Sequence, residues 1–113
     1  ADLGQELRGA LAAARFQIVL CSPRSARSMW VNEEILAFKR AHGEARVLPL
    51  IIDGEPYAGD ERECFPPALR FKLADDGSLS DVPAEPIAAD LRDGKDGKRL
   101  ALLKLIAGIT GLK

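Results

Sequence analysis

The sequence is poor in most of the residues that announce a chemistry. Its 113 residues hold one histidine, two cysteines, one tryptophan and one tyrosine. His42 has no acidic or thiol partner at triad spacing, so it reads as a helix-end residue and not as a catalytic base. Cys21 and Cys64 form neither a CxxC nor a Cys/His pattern, so no metal site is expected. They read as small hydrophobes of a reduced compartment. Neither sign of charge dominates, with 16 basic against 17 acidic residues and a net charge of -1. No basic stripe exists to neutralise phosphates, which argues against a nucleic-acid partner. Also missing is any apolar run near the roughly 20 residues that span a bilayer, or a basic and apolar leader, so the expectation is a soluble, cytoplasmic protein without a membrane span.

What is present suits one compact core: 47% of the residues are hydrophobic, and the length allows a single domain, or part of one, over residues 1–113. The chain opens on Ala1 and at once on a helical pattern, so an upstream segment is expected. Asp2 caps a helix with Leu3, Leu7, Ala10, Leu11 and Ala14 on one face. Phe16 to Cys21 is an apolar strand of the kind covered on both sides, ended by Ser22-Pro23. A second helix starts near Ser25 or Ser28 and runs to about His42, closed by Gly43. Arg46 to Ile52 is another strand, in which Pro49 demands a bulge or a side that needs no partner. Glu55 to Pro67 is a long loop, and Phe71 to Leu79 around Asp75-Asp76-Gly77 a small hairpin or an irregular flap. Pro86 to Leu91 is a third short strand. The final helix carries Leu102, Leu103, Leu105, Ile106 and Ile109 on a wide stripe, with Lys98, Arg99 and Lys104 on its solvated side. Helix, strand, helix, strand, loop, strand, helix implies an α/β fold with a parallel sheet.

One residue sits oddly. On the second helix Val31, Ile35 and Phe38 form the core-facing stripe, and Glu34 lies about 60° from Val31 at 100° per residue, with Trp30 one turn before it and Phe38 one turn after. Glu33 and Arg40 point the other way. Glu34 either snorkels to water, or pairs with Arg24 or Arg27, or is a cleft carboxylate readied beside an aromatic wall. Spacing does not choose among these.

The stretch FQIVLCSPRSARSMWVNEEILAF, Phe16 to Phe38, resembles the core of bacterial Toll/interleukin-1 receptor (TIR) domains: an apolar strand, Ser-Pro, a further Ser, then Trp-Val-x-x-Glu opening a helix. RVLPLIIDGEP, ECFPPALRFKL and EPIAADLR resemble later stretches of the same family. The family's opening strand, first helix and association loop have no counterpart here, so part of the pocket is expected to come from residues outside this sequence.

The resemblance implies a flavodoxin-like three-layer sandwich, N-terminally incomplete, and cleavage of the nicotinamide–ribose bond of NAD, with NAD as substrate and no resident cofactor. It makes Glu34 the catalytic carboxylate, with Trp30 walling the pocket and Ser22 and Ser28 lining it at the strand end. Packing under the helix start is an equal reading of Trp30, and turn or cap duty an equal reading of the serines. The resemblance also implies partners, other TIR domains in a homo-oligomer. A non-enzymatic adaptor working by TIR–TIR contact is the alternative to an NAD glycohydrolase, and a response-regulator-like flavodoxin fold is a weaker third. The 113 residues alone are expected to be inactive, and to associate through the uncovered edge of the Phe16–Cys21 strand.

Overall fold

The computed structural model describes Gln5 and residues 16–110. The helix expected over residues 2–14 lies outside the described residues, apart from Gln5, which is helical. The elements are β1 (Gln17–Cys21), α1 (Pro23–Ala26), α2 (Met29–His42), a 3-10 turn (Glu44–Arg46), β2 (Val47–Ile51), α3 (Pro67–Arg70), β3 (Phe71–Leu73), β4 (Leu79–Pro83), β5 (Ala89–Asp90) and α4 (Gly97–Thr110).

β1, β2 and β5 form a parallel sheet in that order, with Gln17 opposite Val47, Cys21 opposite Ile51 and Leu50 opposite Ala89. Alternation along the strands sorts side chains to two faces. Val19, Cys21, Val47 and Ile51 join Ile35 and Leu36 of α2 in one buried cluster. Leu48 and Ala89 join Ala101 and Leu105 of α4 in the other, with Ile18 and Leu50 packed against it. Among the described residues α2 with α3 covers one face and α4 the other, so the layers run helix, sheet, helix as the α/β expectation required. Coverage of β1 is uneven: Leu20, on the α4 side, keeps 55% of its surface exposed.

Pro49 stands in the middle of β2, opposite Val19. Ile52 N donates to Cys21 O and Leu91 N donates to Ile51 O, so successive residues of β2 face β1 and β5 alternately. Two places before Ile51, Pro49 faces the β5 side, where β5 has not begun. Its lacking N–H leaves no partner unserved, as the sequence required.

Two expectations are corrected and a third gains a detail. The third strand shrinks from Pro86–Leu91 to Ala89–Asp90, because Pro86 donates no ladder bond and Ile87 points to solvent. The second helix stands as expected, capped by Ser28 and running from Met29 to His42 before Gly43; what the sequence did not announce is the one-turn α1 before it, capped by Ser22 with Ser25 at its third position. On α4, Ala101 and Leu105 are buried and Leu103 is exposed, so the wide leucine stripe is narrower than its composition suggests. β3 and β4 form the expected hairpin as an antiparallel pair.

Candidate functional site

In an open α/β sheet ligands settle beyond the C-terminal ends of the strands, and the segment after β1 is built there. Ser22 is extended. Its Oγ accepts from Ser25 N at 3.2 Å, and Ser25 Oγ accepts from Ser22 N at 2.9 Å, a reciprocal cap for α1. Pro23 follows at the first helical position, where its missing N–H costs nothing. After one turn the chain resets, and Ser28 Oγ accepts from Val31 N at 3.2 Å to start α2. Both serines named as lining residues thus cap helices, and they fix where α2 begins.

Trp30 is in the first turn of α2 and Glu34 in the second, four apart and on one helix face. Glu34 is exposed. It makes no hydrogen bond or ion pair among the described residues, so the suggested pairing with Arg24 or Arg27 does not form. Trp30 is 75% exposed and Met29 82%, which overturns packing under the helix start as the role of Trp30. The aromatic wall beside Glu34 is present as a neighbour and is open to solvent. A carboxylate with both oxygens uncommitted suits acceptance of hydrogen bonds from a diol, or stabilisation of a nearby positive charge.

Farther along α2 the environment reverses. Ile35, Leu36 and Lys39 are buried, with Val31 and Phe38 packed at the border of the core. Lys39 Nζ donates to Ala68 O and, at 3.1 Å, to Phe71 O, and is 2.8 Å from Glu44 Oε1. Glu44 Oε2 in turn accepts from Leu73 N. His42 lies in the last turn with its ring centroid 4.5 Å from that of Phe38.

A second cluster at the strand ends was not foreseen. Arg92, just past β5, donates through Nε and Nη2 to Asp90, and through Nη1 to Gly54 O at 2.9 Å and Glu55 Oε2 at 2.6 Å. These hydrogen bonds from Arg92 hold the Asp90 carboxyl below the usual carboxylate range, and the carboxylates raise Arg92. Its only trace in the sequence is the alternation Asp90-Leu91-Arg92. Beyond Gly54 the loop folds around Glu63, whose carboxylate accepts from the backbone N–H of Tyr57, Gly59 and Phe65. No nucleophile is offered by sulfur: burial first, then Cys64, pushes the Cys21 thiol up to about 12, and burial followed by Glu63 pushes Cys64 to about 11.

Hollows lie at both ends of the sheet among the described residues. A groove of about 1100 Å³ lies at the opposite end of the sheet, between the starts of β2 and β5 and α4, with Lys72 and Lys104 on its rim. A cavity of about 260 Å³ lies beside α1, lined by Arg27, Asp60, Glu63 and Arg70. Neither is lined by Glu34 or Trp30. Among the described residues no group of three or more His, Cys, Asp or Glu side chains could hold a metal ion.

The family profile for the TIR domain matches residues 1–100. The chain belongs to the TIR domain family. This TIR domain is also similar to a protein named NAD(+) hydrolase ApTIR from Actinoplanes sp., at 34% identity over 120 aligned residues, 97% of this chain. The chain spans 16% of that protein's length. No solved structure matches at a significant level. Among the described residues no helix is long and apolar enough to cross a membrane.

Proposed function

We propose that this TIR domain hydrolyses NAD at the nicotinamide–ribose bond, with Glu34 as the catalytic carboxylate. The observation that carries the reading is an exposed, unpartnered Glu34 one turn after an exposed Trp30, on the helix that leaves the ligand-binding edge of a parallel sheet. The likeness to a protein named as an NAD(+) hydrolase supplies the substrate. The C–N bond breaks with its electron pair leaving on neutral nicotinamide. Positive charge develops on the ribose, and water adds at the same carbon with release of a proton. Glu34 accepts hydrogen bonds from the ribose hydroxyls and offsets that charge, the service carboxylates give at oxocarbenium-like transition states. Trp30 supplies an aromatic face, and Ser22 and Ser28 set the position of the helix. NAD is consumed as substrate, with no resident cofactor. In this reading the domain works in the cytoplasm, where its two buried free thiols remain reduced.

The test is nicotinamide release from NAD by the intact protein, followed by chromatography. Wild type is expected to release nicotinamide and Glu34→Ala to release almost none. Equal rates for the two proteins overturn the assignment.

A second reading, signalling by homotypic TIR–TIR contact, is favoured by the adjacent exposed Met29 and Trp30 and the half-exposed Leu20 on β1, the outermost strand of the sheet among the described residues. Apolar side chains grouped in solvent mark contact surfaces. Under it, Met29→Ser with Trp30→Ser shifts the intact protein toward monomer in light scattering; an unchanged mass distribution removes that reading.

A further inference from the structure

The end of β5 and the turn after β2 converge on a single side chain. Arg92 grips Asp90 at the end of β5 with two nitrogens and reaches across to Gly54 O and Glu55 in the turn after β2. That turn is wedged from the other side. Gly54 has φ +83°, and a Cβ built there would stand 2.5 Å from Arg62 O and 2.9 Å from the Pro23 ring. Pro23 is the first residue of α1, the step from which Ser28 starts α2. Ile52 N and Asp53 N meanwhile donate to Cys21 O, tying the same turn to the end of β1.

We propose that Arg92 is a positioning residue for the Glu34 site: it holds the turn after β2 down against Pro23 and so fixes the step that sets the start of α2. The proposal rests on the reading of Glu34 given above. Arg92 does not serve as a substrate contact, because its donors are already engaged by two carboxylates and a carbonyl. Its removal leaves Asp90 and Glu55 as like charges facing one another, and their repulsion lifts the turn from β5 and frees Pro23. Lysine cannot replace it fully, since an ammonium lacks the planar fork that engages Asp90 and Gly54 together.

The experiment compares Arg92→Ala, Arg92→Lys and the control Arg62→Ala in the intact protein. Kinetics with NAD are combined with hydrogen exchange and with the emission of Trp30, the protein's single tryptophan. Arg62 pairs with Asp60 on the outside of the same loop. Arg92→Ala is expected to lower kcat about tenfold or more, as misplaced reacting groups do, with KM changed much less, and Arg92→Lys to recover part of the loss. Exchange rises at residues 22–30 and 53–55 while the amides of Val19 and Ile35 keep their protection, and Trp30 emission shifts. Arg62→Ala stays within about twofold of wild type, as for an exposed pair. Wild-type kcat for Arg92→Ala overturns the proposal. So does a loss that tracks a uniform rise in exchange, core amides included, because Arg92 would then only stabilise the fold. Should wild type release no nicotinamide, the Glu34 reading fails separately, and hydrogen exchange alone decides: loosening confined to residues 22–30 and 53–55 keeps the positioning role, and its absence ends it.

Discussion

Two places on α2 follow opposite rules. At Lys39 folding leaves little to spare: a lysine is buried to 5% exposure with two carbonyls and a carboxylate around its ammonium, while the exposed His42 nearby rests against Phe38. From Met29 to Glu34 the same helix holds a methionine, a tryptophan and a carboxylate out in water with no partner among the described residues. Burial of a charge is tolerated only where it is fully paired. Exposure of a large apolar pair beside a free acid brings the fold nothing, and the proposed function draws on that stretch of the helix.

The contrast breaks most sharply at Glu34. Glu34→Gln keeps the shape and removes the charge; nicotinamide release is expected to fall by about a hundredfold or more, the range for lost acid/base or electrostatic groups. Chemical denaturation should place its stability within about 0.5 kcal/mol of wild type, as for surface changes. Next comes Lys39→Ala, which strands two carbonyls and the Glu44 carboxylate at a cost of about 2–3 kcal/mol, read as a lower denaturation midpoint with NAD turnover per folded molecule preserved. Ser28→Ala, at the junction of the α1 step with α2, removes the cap of α2 and is expected to lose about 1 kcal/mol. Trp30→Ala should be nearly silent in stability, under about 0.5 kcal/mol, while raising KM for NAD or weakening self-association; a large stability loss would show that Trp30 packs after all.

Acid offers a gentler probe of the strand-end clamp. The Asp90 carboxyl is held low chiefly by hydrogen bonds from Arg92. Its contribution is therefore fully present above the unfolded value near about 3.9 and lost as pH falls through the folded one. Melting followed from pH 6 downward should show a steeper loss below about pH 4 for wild type than for Arg92→Ala.

The sequence disclosed those parts of the fold that local pattern controls. Apolar runs marked β1 and β2, Gly43 closed α2 where its positive φ demands glycine, and Asp75-Asp76-Gly77 turned the hairpin. The break between α1 and α2 was half visible, because Ser22, Ser25 and Ser28 are all credible caps and only the backbone decides which are used. Lys39 was missed although it falls four residues after Ile35 on the core stripe; its acceptors come from Ala68 and Phe71, too far along the chain for periodicity to reveal. For the same reason Arg92, one residue past the expected third strand, drew no reading of its own. Of the candidate site, the Trp30–Glu34 spacing was legible and its openness was not, since exposure depends on what the rest of the chain leaves uncovered.

Pro49 has a consequence for how the sheet finds its alignment. A slide of β2 by one residue against β1 turns every side chain over. Val47 and Ile51 would be presented to α4, and Leu48 and Leu50 to α2. The same half-turn would aim the proline nitrogen at β1, deleting a rung from the ladder that carries five residue pairs, whereas in the native alignment that nitrogen faces a stretch β5 never reaches. A single imino acid thereby acts as a key cut for one setting, rejecting odd-numbered misalignments on hydrogen bonding as well as on burial.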